Sequence, residues 1–301
     1  MTVAPQYDDA AKSRAVEIAS WLMRIAIVMH LCGIAWIIAA SGGTAIGNIA
    51  FMEWDCDPQK VALIEKIVIA FFLAIGLTLL IRPTVIASLA IGCAVTLEVV
   101  AQYRFGGSPF ISWVYWTSSL RYLLPFAFAI FIALPRDARW NGFRYPASAW
   151  IMRVGVAIVF ISHGLQALYE HPRFIDLIIG SANRWIGYRP SQWQAVQALK
   201  VIGVVDVIVG ILLLFGRWRW LLMEMATWGL VTALSRVTAN GPLSGYEVLL
   251  RASHFLVPIA LWHLAPVLDA NAAAAQNKSR AATAPLLPDP HPEPVMDFLP
   301  L

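Results

Sequence analysis

The chain has 301 residues, of which 59% are hydrophobic and only 13% are charged, and its formal net charge is +4. A soluble protein of this length needs about a quarter of its residues to be charged, so the composition excludes a soluble fold and indicates a bilayer as solvent. Attraction to anionic lipid explains the small positive charge, which gives no case for a nucleic-acid partner.

Apolar runs of membrane-spanning length recur along the chain. An α-helix rises about 1.5 Å per residue, so about 20 apolar residues cross a hydrocarbon core of about 30 Å. The expected fold is an all-α integral membrane protein with eight transmembrane helices. They are predicted near residues 21–40, 61–81, 84–103, 112–134, 150–169, 197–215, 218–237 and 246–266.

The distribution of Lys and Arg predicts the orientation. Residues 41–59 contain no Lys or Arg, whereas residues 136–149 contain Arg136, Arg139 and Arg144. We therefore expect the first connection to lie outside and residues 136–149 in the cytoplasm, in an inner-membrane protein with both termini cytoplasmic. Further basic residues fit this orientation: Lys12, Arg14, Arg82, Arg217, Arg219, Lys278 and Arg280.

One outer segment, residues 170–196, breaks the charge rule because it carries Arg173, Arg184 and Arg189. Aromatic residues commonly anchor a chain at the level of the lipid headgroups. We interpret the segment as interfacial, with an anion-attracting mouth as the alternative. The proposed anchors are Trp185, Tyr188 and Trp193.

Matching segments recur at a nearly constant spacing. Residues 19–24 read ASWLMR and residues 148–153 read SAWIMR, an offset of 129. Residues 121–127 read RYLLPFA and residues 254–260 read HFLVPIA, an offset of 133. Matches in the same order at a nearly constant offset indicate a tandem duplication.

The duplication divides the chain into five regions. Each repeat has an even number of spans, so the two repeats are expected to be parallel four-helix bundles rather than inverted ones. The last region is rich in Ala and Pro, which predicts a disordered cytoplasmic tail. The regions are the N-terminal segment 1–20, the first repeat 21–135, the linker 136–149, the second repeat 150–266 and the tail 267–301.

Six polar residues of the second repeat are expected in the outer half of the membrane. Counting the helical rise from the outer ends puts His163 about 9 Å deep and Asp206 about 14 Å deep. Unpaired ionisable groups at this depth are costly, so they face an interior or a wet cavity and are functional candidates. The candidate site comprises His163, Asp206, Arg236, Glu247, Arg251 and His254.

The second repeat also carries the motifs of a known family. Arg153 stands near the start of its first helix, His163 and Gly164 follow, and then comes the run KVIGVVDVIVGILLLFGRW, which contains Asp206. This pattern resembles the DoxX family of small four-helix membrane proteins, which usually has Glu at the position of Asp206. The resemblance covers residues 150–265 and is weak in the first repeat. It implies a link to quinone-coupled redox chemistry, because some DoxX-like proteins are similar to subunits of thiosulfate:quinone oxidoreductases.

Three interpretations of the six residues stay open. They could form a pocket for a quinone headgroup or another small polar ligand, since imidazole and carboxyl groups can bind carbonyl oxygens and pass protons. They could form a structural network, in which Glu247 pairs with Arg251, and Asp206 pairs with Arg251 or His163. His163 and His254 could instead be axial ligands of a b-type haem. Polar residues of the first repeat are interpreted as structural: Lys66, Glu98 and Arg121.

The function predicted from these features is that of an integral membrane subunit of a quinone-linked redox complex, with lipids and a partner redox protein or further membrane subunits around it. Alternatives are a non-catalytic anchor or assembly protein and a small-molecule transporter. The predicted spans show no clear broken helices, which argues against transport. No nucleotide-binding, hydrolytic or metal-binding motif is present, so no metal and no covalently bound cofactor is expected.

Overall fold

The computed structural model describes residues 9–41, 44–105, 110–133, 138–216 and 218–283, and their regular structure is entirely helical. Two single 3-10 turns, Ile111–Trp113 and Pro242–Ser244, precede α5 and α11. The helices are α1 (Asp9–Ser41), α2 (Ala45–Met52), α3 (Pro58–Ile81), α4 (Val85–Phe105), α5 (Val114–Thr117), α6 (Ser119–Ala133), α7 (Ala138–Leu168), α8 (Pro172–Ile186), α9 (Gln192–Phe215), α10 (Arg219–Asn240), α11 (Gly245–Leu250) and α12 (Ala252–Thr283).

The order of elements in α1–α6 recurs in α7–α12. In each half a helix of more than 30 residues is followed by a shorter helix and then by two helices of 21 to 24 residues. A 3-10 turn, a helix of at most six residues and a final helix of at least 15 residues complete the half. The packing recurs as well: α1 packs on α3 as α7 packs on α9, and α4 packs on α6 as α10 packs on α12. The described residues therefore form two halves of equivalent construction, as the repeated sequence segments predict.

Seven helical stretches among the described residues are long and apolar enough to cross a membrane. They are Ala10–Ala40, Pro58–Ile81, Val85–Phe105, Ile111–Ala133, Phe143–Leu168, Gln192–Phe215 and Ala252–Asn277. These are the helices of a multi-pass membrane protein, and they account for seven of the eight predicted spans. The remaining one, α10, is less apolar because it contains Glu224 and Arg236.

The two halves share one apolar core rather than forming separate bundles. Helix α1 packs along α12, and α6 packs along α7. A single cluster of buried side chains accordingly includes Met23, Phe128, Met152 and Leu264, which come from both halves. Buried alanines on the inner faces of α1 and α7 permit this approach, because small residues let helices pack closely in a membrane. The predicted pair of separate four-helix bundles is therefore not supported.

The fourth span of each half is a broken helix, contrary to the expectation of unbroken spans. Helix α5 gives way to α6 at Ser118, and α11 gives way to α12 at Arg251. Equivalent backbone bonds close the two breaks, Arg121 N–H to Ser118 C=O at 2.9 Å and His254 N–H to Arg251 C=O at 2.9 Å. A proline follows each break by seven residues, and a proline cannot donate to the carbonyl four residues before it. The freed carbonyls therefore belong to Arg121 and His254.

Two region boundaries differ from the prediction. Helix α7 begins at Ala138, so most of the linker 136–149 is helical, and α12 continues to Thr283, so residues 267–283 are helical rather than disordered. Alanine has the highest helix propensity, and the alanines of residues 272–275 prolong α12. Predictions for residues 284–301, for Arg136 and Arg217, and for the side chains of Arg139, Lys278 and Arg280 lie outside the described residues.

One end of the molecule carries α2, α8 and both breaks, and we call it the α8 end. Here Trp36 of α1 lies against Tyr246 of α11 with ring centroids 6.5 Å apart, and Trp113 lies against Tyr169 at 6.0 Å, just after α7. Helix α8 is amphipathic and buries Ile175. The three predicted anchors that follow are exposed, which suits an interfacial segment: Trp185, Tyr188 and Trp193.

Candidate functional site

All six predicted site residues lie toward the α8 end, and three of them form a charged cluster. Arg251, at the break before α12, donates from Nη1 to Glu247 Oε2 at 2.9 Å. Arg236 of α10 brings its Nε within 3.7 Å of the same carboxylate oxygen. The Arg236 side chain is 8% exposed and that of Glu247 is 24% exposed. The predicted Glu247–Arg251 pair thus exists, but it is largely buried and shared with a second arginine.

Residues of the first half complete this cluster. The charge of Arg121 on α6 acts on Arg251, Glu98 and Glu247, and it also reaches His163 and His254. Glu98 in turn accepts a hydrogen bond from Gln102 one turn along α4. Lys66, in contrast, is exposed on α3. Glu98 and Arg121, interpreted from the sequence as structural, thus belong to the same charged cluster as the predicted site residues.

The cluster carries more positive than negative charge. It contains three arginines and two glutamates among the described residues: Arg121, Arg236, Arg251, Glu98 and Glu247. Like-charged guanidinium groups repel one another in a medium of low dielectric constant, so the two carboxylates are needed to hold them together. We call these five residues the arginine cluster.

His163 and His254 lie beside the arginine cluster with their ring centroids 5.9 Å apart. His163 Nδ1 is 3.2 Å from Gln166 Oε1, and its ring lies 5.8 Å from that of Phe174 on α8. His254 is 4% exposed, and its Nε2 has no hydrogen-bond partner among the described residues. A Cβ at Gly229 would come within 2.5 Å of the His254 carbonyl oxygen, so glycine is required where α10 crosses this freed carbonyl.

Asp206 is buried, and it shares its face of α9 with Gly203 and Gly210. A Cβ at Gly203 would lie 2.7 Å from the carbonyl oxygen of Gly164, so α7 and α9 meet backbone to backbone. This close crossing turns Asp206, which is 8% exposed, away from lipid. The indole of Trp228 on α10 lies beside its carboxyl in the lining of one cavity. Among the described residues, Asp206 forms neither of the predicted pairs with Arg251 and His163, and its polar neighbour is Trp228.

Two adjacent cavities divide the site residues. The first, which we call the His163 cavity, has a volume of about 190 Å³ and contains His163, Asp206 and Arg236 in a largely apolar lining. Val231, which is 49% exposed, forms part of its rim, so the cavity borders the lipid-facing surface. Its apolar walls include Ala167, Phe174, Leu177, Ile178, Leu199 and Ile202.

The second cavity, of about 360 Å³, opens beside α8 and we call it the Arg173 cavity. Arg236, Glu247 and Arg251 line it together with Arg173. Phe174 and Arg236 border both cavities, and the Arg236 guanidinium carbon lies 5.9 Å from the centre of the Phe174 ring. These two side chains therefore separate an apolar chamber from a charged one.

The first half lacks the polar residues that line the His163 cavity. The positions that correspond to His163 and Asp206 are occupied by Ile34 and Phe72, which are 4% and 2% exposed. The two apolar side chains fill the space with hydrocarbon. The largely apolar chamber of the second half therefore contains polar residues that the first half lacks at the matching positions, as the uneven spread of polar residues in the sequence predicts.

The geometry of the described residues bears on metal and haem ligation. No group of three or more His, Cys, Asp or Glu side chains within the described ranges is placed to hold a metal ion. A haem between His163 and His254 would need a cavity bordered by both residues, and His254 lines neither of the two cavities described above. The geometry gives haem ligation no positive support.

Several residues of the site escaped the sequence analysis. Trp228 and Phe174 line the His163 cavity but belong to no motif of the sequence, and the buried His30 brings its Nδ1 to 3.2 Å from the Leu250 carbonyl oxygen. One signal was present for Arg121, because the alignment of residues 121–127 with 254–260 puts it at the position of His254. No protein-family profile, curated protein or solved structure matches this chain, so its site is interpreted from its own residues and the DoxX resemblance stays a prediction.

Proposed function

We propose that the His163 cavity binds the headgroup of a quinone-class ligand and that the chain is an integral membrane subunit of a quinone-linked redox complex. The observation that carries the proposal is the juxtaposition of His163, Asp206 and the Trp228 indole in a small, mostly apolar chamber at the lipid border. A quinone needs donors for its carbonyl oxygens and apolar walls for its ring. Sites for small molecules have this composition of apolar lining and a few polar groups.

The roles of the polar groups follow from their chemistry. His163 Nδ1 donates to Gln166 Oε1, so Nε2 of the neutral ring can accept from a quinol hydroxyl, and it can donate to a quinone carbonyl oxygen when the ring is protonated. Asp206, when protonated, can donate to a second carbonyl oxygen, and the Trp228 indole lines the same cavity. Proton uptake on quinone reduction would use these two groups, whereas electrons would come from a partner, because no redox cofactor site is evident in the described chain.

Helix α10 is proposed as the eighth span, which places both termini on the same side of the membrane. Its 22 residues reach about 33 Å, enough for a hydrocarbon core of about 30 Å. Arg236, near the end of α10, belongs to the arginine cluster, where pairing with Glu247 lowers the cost of a charge in the membrane. The basic linker supports an inner membrane with cytoplasmic termini.

The proposal is tested by measuring the affinity of the purified protein in lipid nanodiscs for a short-tailed benzoquinone and a naphthoquinone. Each hydrogen-bonding partner left unsatisfied costs about 1 to 3 kcal/mol, so His163→Ala and Asp206→Ala should each weaken binding roughly five- to 150-fold. Both variants should insert normally and keep the melting behaviour of a folded protein.

Glu98 and Arg121 are unsuitable controls because they belong to the arginine cluster. Glu65→Gln is the matched control, since Glu65 is a buried carboxyl group at the α8 end of the first half, where it accepts from Thr44 N–H at 2.8 Å. Glu65→Gln should change stability and leave quinone affinity unchanged. Parent-like affinity in both second-half variants, or no binding by the parent, would leave the anchor or assembly role in place of the quinone site.

Transport is the second candidate, and the specific observation in its favour is the pair of broken helices. Transporters commonly build their sites at such breaks, where backbone groups and charges face a cavity. Arg251 stands at one break and lines the Arg173 cavity, whereas Ser118 stands at the other. An anion gradient applied to proteoliposomes should drive a current if the protein transports anions, and a current abolished by Arg251→Gln would favour transport over quinone binding.

A further inference from the structure

The largest cavity described lies at the opposite end of the molecule from α8, far from the residues discussed so far. Its volume is about 830 Å³, and it lies between α1, α6, α7 and α12. Among the described residues, three cationic side chains line it, Lys12, Arg24 and Arg144, against one acidic side chain, Glu17. We call it the Arg24 cavity, and the described part of its lining has an excess of positive charge.

Arg24 stands at the depth where lipid headgroups begin. Seventeen residues separate it from the end of α1 at Ser41, which is about 26 Å of helix against a hydrocarbon core of about 30 Å. Its guanidinium carbon lies 4.6 Å from the centre of the half-exposed Trp21 ring, and its Nη2 donates to Ser20 Oγ at 3.2 Å. Its Nε has no hydrogen-bond partner among the described residues, so donor capacity remains for a ligand.

Arg144 supplies a second oriented guanidinium group from α7. It is 6% exposed, it donates to the hydroxyl of Tyr145 at 2.6 Å, and its guanidinium carbon lies 4.5 Å from the centre of the Tyr145 ring. The planar fork of an arginine matches the oxygens of a phosphate group. Two arginines from different helices in one cavity can therefore hold a phosphate between them.

The remaining lining of the Arg24 cavity is apolar. Val16, Phe131, Ile132 and Val267 contribute to the walls beside the charged residues. A free inorganic anion would use only the charged part of such a cavity, whereas a phospholipid would use both parts, because its acyl chains are apolar. Basic cavities between transmembrane helices are suited to anionic headgroups.

The second half offers an equivalent position with a different charge balance. Arg153 corresponds to Arg24 and Trp150 to Trp21, and both line a cavity of about 300 Å³. There Arg153 Nη1 donates to the Gly216 carbonyl at 2.9 Å, and Asp269 contributes a carboxylate to the lining. The described lining of this cavity has one cationic and one acidic side chain, so this part of the lining lacks the excess of positive charge.

We propose that the Arg24 cavity is a binding site for an anionic phospholipid, whose phosphate is held by Arg24 and Arg144 and whose acyl chains pack on the apolar wall. The site is independent of the quinone proposal, because it lies at the other end of the molecule. The lipid is a structural ligand that ties α1 to α7, and thus one half of the duplicated chain to the other.

The test is native mass spectrometry of delipidated protein titrated with phosphatidylglycerol, with phosphatidylcholine and inorganic phosphate as separate arms. Each Lys or Arg near the membrane surface contributes about fivefold to anionic-lipid binding. Arg24→Gln and Arg144→Gln should therefore each weaken phosphatidylglycerol binding about fivefold, whereas Arg153→Gln should bind like the parent. Lys12→Gln, near the start of α1, should also weaken binding, and it keeps the test decisive if Arg144→Gln does not fold.

Several results would overturn the lipid site. If Arg153→Gln and Arg24→Gln weaken phosphatidylglycerol binding equally, the effect comes from the general loss of positive charge and not from a specific site. Equal affinity for phosphatidylcholine would exclude recognition of net negative charge. If millimolar inorganic phosphate displaces phosphatidylglycerol completely, the cavity is a site for the free anion instead. Arg24→Lys should recover part of the affinity if charge matters, since lysine keeps the charge and loses the fork.

Discussion

Removal of the Glu247 carboxylate should destabilise the protein more than any exposed charge substitution would. In Glu247→Gln, Arg251 loses a partner at 2.9 Å and Arg236 loses one at 3.7 Å, while Arg121 remains close by. At an effective dielectric constant of about 20, two opposite charges 4 Å apart attract by about 4 kcal/mol. Desolvation offsets part of this attraction, and removing one partner of a buried pair typically costs about 3 to 5 kcal/mol.

Because Glu247 is partly exposed, we expect the lower end of that range, about 3 kcal/mol. The assay is reversible unfolding of the purified protein in mixed micelles, followed by the near-ultraviolet signal of its tryptophans. The double variant Glu247→Gln with Arg251→Gln should recover a large part of the loss, since it removes a positive charge together with the negative one. Lys60→Gln is the control for an exposed pair, because Lys60 and Asp57 lie 3.1 Å apart with side chains 70% and 50% exposed.

The cluster interpretation fails if Glu247→Gln loses no more stability than Lys60→Gln, whose exposed ion pair is screened by water and contributes little. The interpretation also fails if adding Arg251→Gln to Glu247→Gln lowers the free energy of unfolding further, by as much as Glu247→Gln alone does. Either result would mean that water, rather than Glu247, compensates the arginines.

Two further predictions concern α8 and the orientation. Burial and the neighbouring Arg173 lower the pKa of His171, whose Nδ1 accepts the Arg173 N–H at 3.2 Å as the N-cap of α8. The unfolded segment therefore binds more protons than the folded one below about pH 6.5, so the stabilisation is present above that pH and is lost on acidification. The protection factors of the α8 amides, which correct for the intrinsic pH dependence of exchange, should fall about fivefold in acid as the cap is lost, and His171→Asp should move this fall to the lower pH at which an aspartate is protonated. Cys56, between α2 and α3, should react with a membrane-impermeant maleimide in intact cells. The variant Ser279→Cys in a Cys56→Ser background should not react. Labelling of that variant would place position 279 on the same side of the membrane as Cys56 and contradict the predicted orientation.

Local properties of the chain could be predicted because they depend on composition within one helix. The apolar runs predict the ends of α3, α9 and α10 to within about five residues, since the length of such a run reflects the thickness of the bilayer. The burial of Asp206 was also predictable, because Gly203 and Gly210 stand on its helix face and permit close packing.

Contacts between helices were largely unpredictable for a physical reason. A membrane helix is apolar on the side that faces lipid and on the side that faces another helix, so its pattern does not mark the packed face. Nothing in the sequence around Trp228 therefore shows that its indole reaches Asp206, and nothing around Arg121 shows that it joins Arg251. The broken helices were missed because Pro125 and Pro258 mark the freed carbonyls, while the breaks themselves lie seven residues earlier.

The packing of the two equivalent halves explains why both halves contribute to the arginine cluster, whereas the second half alone lines the His163 cavity. Residues at equivalent positions of the two halves, such as Arg121 and His254, lie near the boundary between the halves and therefore influence each other's charge. The His163 cavity lies farther out, against α8 and α10, where each half is surrounded by its own helices and can diverge alone. In the first half, Phe72 fills the equivalent space, and the position that matches Trp228 at the same offset holds Ala94. Phe72→Asp would consequently bury a carboxyl group with no indole to bond it, so one substitution cannot convert the first half into a second binding chamber.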